Sequence, residues 1–202
     1  MQKRLKVALW LLSIIIATTQ ASNVIAQNSD SNSIIYITTN VGYSSNSVLF
    51  LGKTPDTQSF FSYIGFGKEI KSPFEGIKTY VTRGIIPFIE FSYPKRDEGS
   101  RRDLVSGFGI SPIGYTFIKP FKNFEVETGI KSGFNLINKT FPTDKGRRFN
   151  YSFDIKLAVQ RQILPQTYLS LGYKFHHISN AQTGSENPGI DSNFIYFSIK
   201  QF

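Results

Sequence analysis

Most of the chain alternates between apolar and polar residues and shows no sustained helical period. In the run 124–136, one face is mainly apolar and the other carries glycine, amide and charge. The first face holds Phe124, Val126, Thr128, Ile130, Ser132, Phe134 and Leu136, and the second holds Glu125, Glu127, Gly129, Lys131, Gly133 and Asn135. Residues 151–160 repeat the pattern. A period of two predicts β-strands whose two faces meet different surroundings.

Similar segments recur near 33–43, 58–69, 78–93, 103–118, 167–179 and 191–202, which makes eight strands in all. Most reach the ~9–11 residues with which a tilted strand crosses a bilayer. Longer polar loops near 44–57, 95–102, 139–148 and 180–190 alternate with shorter turns near 70–76, 119–122 and 164–166. This alternation is typical of outer-membrane barrels. The sequence therefore predicts an all-β protein, an eight-stranded antiparallel transmembrane β-barrel with both termini at the turn end.

The same period would also suit a soluble sandwich or a lipocalin-like barrel, with the apolar face turned inward. Periodicity alone does not decide which face lies inside. Glycines and charges of both signs on the polar face favour the packed interior of a narrow membrane barrel. The charged members are Glu90, Glu125, Glu127, Lys131, Asp154, Lys156 and Lys174. Pro87 and Pro112 fall within predicted strands and indicate bulges or breaks.

The N-terminus has the layout of a secretory signal peptide. Lys3, Arg4 and Lys6 precede an apolar run over 7–17, and small residues follow up to Ala26. The run is too short for the ~20 residues of a transmembrane helix. We expect a signal peptide over 1–26 and an outer-membrane barrel domain over 27–202. Export of a chain without cysteine favours a bacterial source, here a Gram-negative cell.

Composition narrows the chemistry. The 202 residues include no Cys and two His, which excludes thiolate chemistry and argues against a histidine-rich metal site. No segment predicts a cofactor or a metal ion. The net charge of +9 would suit nucleic acid, but three positive charges leave with the signal peptide. Others lie in loops, where we expect them to face anionic lipid headgroups; these are Lys95-Arg96, Arg101-Arg102 and Lys145-Gly146-Arg147-Arg148. We therefore predict no nucleic-acid partner.

Counting by twos brings one candidate catalytic set together. The apolar stripe of the 167–179 strand runs into His177 and Ser179, and counting back from Ile195 on the last strand reaches Asp191. A hydroxyl, an imidazole and a carboxylate are the parts of an activated serine nucleophile. The alternative is that these are ordinary polar residues at the barrel rim. His176 points to the opposite face, where we expect an interior hydrogen bond.

The segment around this set resembles a known signature. His177-Ile178-Ser179-Asn180-Ala181, followed by Asn187-Pro188-Gly189-Ile190-Asp191, is similar to the C-terminal motif of the lipid A 3-O-deacylase (PagL-like) family. That family consists of eight-stranded outer-membrane barrels. Asp191 stands where the family usually has Glu, fourteen residues after the His, and Gln182 stands where a small residue is expected.

The resemblance implies an outer-membrane esterase that removes an ester-linked acyl chain from the 3-position of lipid A. It implies that Ser179 is the nucleophile, His177 the base and Asp191 the acid that orients His177. Asn187, with backbone amides near Asn180 and Ala181, would stabilise the oxyanion.

Two other functions stay open at this point. One is a non-enzymatic small barrel with structural or adhesive loops, and the other is a phospholipid esterase of the same fold. The expected partners are lipid A or lipopolysaccharide and the surrounding outer-membrane lipids. The sequence leaves open whether the barrel forms a homodimer and which acyl chain it prefers.

Overall fold

The structure is a computed structural model that describes residues 35–95, 101–143 and 145–202. The predicted signal peptide, residues 1–26, lies outside these ranges and stays a prediction. The strands are β1 (Ile35–Ser44), β2 (Ser47–Val48), β3 (Gln58–Ile70), β4 (Lys78–Pro94), β5 (Arg102–Pro120), β6 (Glu125–Phe141), β7 (Arg147–Leu164), β8 (Thr167–Ser179) and β9 (Ile190–Gln201). In these ranges, no helix has the length and apolar character needed to cross a membrane.

The eight long strands form one closed antiparallel sheet. Sequential long strands pair with each other, and β1 closes the ring by pairing with β9. The two-residue β2 pairs with β9 beyond the end of β1, through Ser47↔Ser192 and Val48↔Asp191. The connections before β3, β5, β7 and β9 lie at one end, here called the loop end, and the other three lie at the opposite end, here called the turn end. The predicted eight-stranded antiparallel barrel is confirmed.

The apolar face of the sheet points outward. Ile130, Leu157 and Leu171 each keep more than half of their surface exposed on the outer wall, while Glu127 and Lys131 are buried inside. A soluble barrel would show the opposite arrangement. The alternative with an inward apolar face is therefore wrong.

The barrel interior holds its charges in hydrogen-bonded groups. Glu127 accepts hydrogen bonds from Lys156 and from Lys200, the latter at 2.5 Å, and Lys200 also donates to Gln160 at 2.8 Å. All four side chains are buried. Pairing offsets the cost of removing these charges from water. Lys200 thus occupies an inward position, which explains a lysine close to the end of the last strand.

The hairpin of β6 and β7 extends farther toward the loop end than predicted. The predicted loop over 139–148 shrinks because β6 ends at Phe141 and β7 begins at Arg147. Phe141 is fully buried, and its ring centroid lies 4.8 Å from that of Phe91 and 5.6 Å from that of Tyr93. Burial of this aromatic ring draws polar sequence into the strand pair.

The two prolines inside predicted strands mark irregular pairing, as expected. The β4–β5 register shifts between Ile86 and Ile89, around Pro87, and the β5–β6 register shifts between Ile110 and Ile113, around Pro112. A proline has no N–H to donate to the ladder. The barrel therefore accommodates each proline at a bulge.

Candidate active site

Strands β8 and β9 place His177 and Asp191 opposite each other at the loop end. The two residues are direct partners in the antiparallel register, so their side chains leave the same face of the sheet. His177 Nδ1 lies 2.6 Å from Asp191 Oδ1. The direct pairing explains why an aspartate is long enough here.

Ser179 lies two residues after His177 and is the last residue of β8. Both side chains are half-buried on the outer wall. Residues two apart on a strand share a face and are ~6.5–7 Å apart along the chain, a span that an imidazole ring can cover. Because His177 Nδ1 is bonded to Asp191, Nε2 is the ring nitrogen available to a hydroxyl. The ring of Phe153 packs against His177 with centroids 5.5 Å apart and supports its orientation.

Two asparagines shape the loop that follows Ser179. The backbone N–H of Asn180 donates to Asn187 Oδ1 at 2.9 Å, and Asn180 Nδ2 donates to the carbonyl of Glu186 at 2.7 Å. The backbone N–H of Asn180 thus orients Asn187. The prediction had instead placed this N–H among the oxyanion donors. The side-chain amide of Asn187 and the backbone amide of Ala181 are the donors that remain from the predicted set.

The backbone turns sharply after Asn180. Ala181 and Gln182 have φ values of 52° and 64°, the left-handed region that non-glycine residues rarely adopt. Both side chains are exposed. Gln182 therefore fills an exposed turn position where the resemblance leads one to expect a small residue.

A segment outside the predicted set completes the surroundings of Asp191. The backbone N–H groups of Phe50, Leu51 and Gly52 donate to Asp191 Oδ2 at 3.1, 2.6 and 2.8 Å. We call Phe50–Gly52 the clamp. Asp191 is fully buried although it lies on the outward face of the sheet. In the sequence, the only sign of this segment is the apolar run Val48-Leu49-Phe50-Leu51 within a polar loop.

Several of the predicted basic loop residues lie near the same rim. Arg147 and Arg148 are exposed; their Nε atoms donate to the carbonyls of Thr183 at 2.9 Å and of Ile137 at 3.1 Å. Lys145 forms an ion pair with Glu186 at 3.4 Å. Arg102 pairs with Asp56 at 2.8 Å, whereas Arg96 lies outside the described residues.

In the part of the chain that the structure describes, no cluster of three or more His, Cys, Asp or Glu side chains could hold a metal ion.

Comparisons with known proteins agree with this architecture. The family model described as lipid A 3-O-deacylase (PagL) matches residues 64–200. A search of curated proteins found no significant match. The crystal structure of the outer membrane enzyme PagL is similar in fold, with 14% sequence identity, a TM-score of 0.51, and coverage of 81% of this chain and 97% of that one.

Weaker likenesses are to other outer-membrane proteins. The outer membrane protease OmpT from Escherichia coli has 11% identity and a TM-score of 0.38, with coverage of 82% of this chain and 96% of that one. An outer membrane channel from Pseudomonas putida F1 has 7% identity and a TM-score of 0.29, with coverage of 84% and 94%. The family match and the barrel fold together show that the protein resides in the outer membrane.

Proposed function

The chain belongs to the lipid A 3-O-deacylase family, and from this premise we propose that it hydrolyses the 3-position acyl ester of lipid A by a Ser–His–acid mechanism. The observation that carries the proposal is the His177–Asp191 hydrogen bond on the outer wall, with Ser179 two residues along on the same face. A side chain on this wall meets the lipid directly, so a lipid ester can reach it from within the membrane.

The first half-reaction forms an acyl-enzyme. Ser179 Oγ attacks the ester carbonyl while His177 Nε2 takes its proton, and Asp191 stabilises the imidazolium through Nδ1–H. The negative charge that develops on the carbonyl oxygen is bound by the Asn187 side-chain amide and the Ala181 N–H. Removal of one such donor costs about 2.7–4 kcal/mol of barrier in related chemistry. When the tetrahedral intermediate collapses, the bond to the sugar oxygen breaks and His177 gives the proton to that oxygen, which leaves as a hydroxyl.

The second half-reaction releases the fatty acid. A water molecule gives its proton to His177 and attacks the acyl carbonyl, and the proton then returns to Ser179 Oγ. The products are a free 3-hydroxy fatty acid and lipid A with one ester fewer. The exposed apolar stripe of β8, with Leu169, Leu171 and Tyr173, leads to this position and suits a substrate whose acyl chains lie in the membrane.

The serine variant tests the proposal directly. Ser179→Ala should fold into the same barrel and release no 3-hydroxy fatty acid from lipid A, as measured by mass spectrometry. Ser132→Ala is the matched control, because Ser132 is another serine on the outer wall, exposed and on β6; we expect it to retain full activity. Equal release by Ser179→Ala and the parent would refute the serine mechanism.

A side-by-side assay with purified phospholipid distinguishes the other esterase. We expect fatty acid release from lipid A and none from phospholipid. Release from phospholipid alone would reassign the substrate, and release from neither would favour a non-enzymatic barrel.

A further inference from the structure

The clamp solves a problem that the position of Asp191 creates. A carboxylate on the outer wall of a membrane barrel faces a surface where unpaired charge is costly. Asp191 avoids this cost because it is fully buried and accepts hydrogen bonds from the backbone of another loop. The cover comes from the connection between β2 and β3, which folds over the loop end of β9.

The clamp donates to the oxygen that His177 does not use. Oδ1 of Asp191 meets His177 Nδ1, while Oδ2 accepts the three consecutive amides of the clamp. A run of backbone N–H groups around one oxygen is a favourable site for an anion. With both oxygens engaged, the carboxylate is held in a single orientation toward the imidazole.

Close backbone packing secures the clamp on β9. A Cβ atom added to Gly52 would lie 2.9 Å from both Cα and N of Ile190, so any larger residue must push the segment away from Asp191. Lys53 N donates to the carbonyl of Pro188 at 2.5 Å, and Thr54 N donates to that of Gly189 at 3.3 Å. These bonds tie the clamp to the loop that carries Asn187.

The side chains of Phe50 and Leu51 in the clamp point away from Asp191. Phe50 is 77% exposed and Leu51 is 48% exposed, yet the Phe50 ring contacts the ring of Phe175 edge-on, with centroids 6.1 Å apart. Phe175 precedes His177 by two residues on the same face of β8. The clamp therefore spans the outer wall from β9 to β8, with its backbone on the acid and its apolar side chains toward the lipid.

We propose that Phe50–Gly52 is a positioning element for catalysis, which holds Asp191 in the orientation that His177 requires and is itself seated on the wall by Phe50. The proposal rests on the proposed function. It also goes beyond the family match, because that match begins at residue 64 and the clamp lies before it. In this proposal the clamp acts through Asp191, whose Oδ2 accepts its three amides.

Gly52→Ala tests the proposal with Gly76→Ala as control. Gly76 lies at the turn end with a φ of +64°, so its exchange for alanine strains the backbone far from the site. A displaced catalytic group can cost up to about 100-fold in rate. We expect Gly52→Ala to lower kcat on lipid A between about tenfold and 100-fold with little change in KM, and Gly76→Ala to leave both constants near the parent values.

A double-mutant cycle shows whether the loss passes through Asp191. In an Asp191→Asn background, Gly52→Ala should lower kcat little further, because the orientation that the clamp maintains is already lost. A full additional loss in that background would overturn the proposal, and so would a kcat for Gly52→Ala equal to that of Gly76→Ala.

Phe50→Ser provides a second test, decisive on its own if Gly52→Ala does not assemble. Its control is Phe121→Ser, an exposed aromatic at the turn end that stacks on Phe124. We expect Phe50→Ser to lower kcat several-fold and Phe121→Ser to leave it unchanged; equal kcat values in the two would overturn the proposal.

Ser179→Ala, measured alongside, distinguishes failure of the proposed function from failure of the clamp proposal. Activity in Ser179→Ala removes the proposed function, whereas an inactive Ser179→Ala with fully active clamp variants removes the clamp alone.

Discussion

Two adjacent histidines of β8 form the same kind of pair in opposite surroundings. His176 Nδ1 contacts Asp154 Oδ1 at 2.5 Å inside the barrel, and His177 Nδ1 contacts Asp191 Oδ1 at 2.6 Å on the wall. Asp154 also faces Lys174 at 3.6 Å. Asp191, in contrast, is bound by the amides of the clamp.

The difference lies in what the second ring nitrogen can reach. His176 is 1% exposed, and its Nε2 is buried without a hydrogen-bond partner in the described structure. His177 is 15% exposed and has a serine two residues along its own face. An imidazole–carboxylate pair alone is thus not an active site. Access to the substrate and a neighbouring hydroxyl distinguish the wall pair from the interior one.

Replacing each histidine with asparagine should give the largest difference between the two pairs. One variant should lose activity and the other stability. His177→Asn removes the proposed base, and we expect a loss of up to roughly 10⁶-fold in lipid A deacylation. The barrel should persist, because this side chain is partly exposed. His176→Asn should instead lower stability by about 1–3 kcal/mol, since it disturbs a buried hydrogen bond.

The two measurements are fatty acid release and the thermal unfolding of the purified barrel. Activity should be expressed per folded molecule. If His176→Asn lowered turnover as much as His177→Asn, the distinction between an interior structural pair and a catalytic wall pair would be wrong.

Asp191 and Asp154 should show the same contrast between activity and stability. The loss of rate in Asp191→Asn should be smaller than that in His177→Asn. In Asp191→Asn, one side-chain atom can still accept from the clamp, but an NH₂ group would then face His177 Nδ1. The ring would carry its proton on Nε2 and could not accept the serine proton, which costs up to about 10⁴-fold in kcat in a well-studied triad.

Asp154→Asn is the matched interior change. It leaves Lys174 without its carboxylate, and breaking such a buried pair costs about 3–5 kcal/mol of stability. We expect the folded fraction to retain its rate. Normal turnover in Asp191→Asn would remove Asp191 from the site, and a stable Asp154→Asn barrel would contradict the structural role of the interior pair.

The period of two predicted much of this arrangement. It placed the strands, separated His176 from His177, and put Ser179 and Asp191 on the stripe of His177, because side chains alternate strictly along a strand. It could not assign the faces, because inward and outward apolar faces have the same period. Burial of Glu127 and exposure of Ile130 resolve that question.

The clamp and the interior ion groups could not be read from the pattern. A loop that folds back over a strand has no period, so Phe50 and Gly52 carry no signal of their contact with Asp191. Glu127 and Lys200 are far apart in sequence, and their pairing depends on closure of the whole barrel. The loop-end limits of β6 and β7 were not predicted, because burial of Phe141 outweighs the polar character of the neighbouring residues.

The smallest expected effect concerns two exposed arginines at the loop end, here called the rim, rather than either histidine pair. Arg147 and Arg148 are exposed beside the loop that carries Asn187, where they can attract the phosphates of lipid A. Each basic residue near an anionic surface contributes on the order of 1 kcal/mol, or about fivefold in affinity. The double variant Arg147→Glu/Arg148→Glu should therefore raise KM without lowering kcat, and added salt should reduce its difference from the parent.

Lys122→Glu is the control for this change, since Lys122 is an exposed lysine at the turn end, away from the proposed site. It alters net charge in the same sense but should leave KM unaltered. The two arginines act on substrate binding, whereas the His177–Asp191 pair acts on the reaction itself. Changes to the arginines should therefore alter KM, and changes to the pair should alter kcat. If the arginine variant lowered kcat and left KM unaltered, the rim would belong to the catalytic arrangement, and the contrast between the two histidine pairs would be too narrow a description of the site.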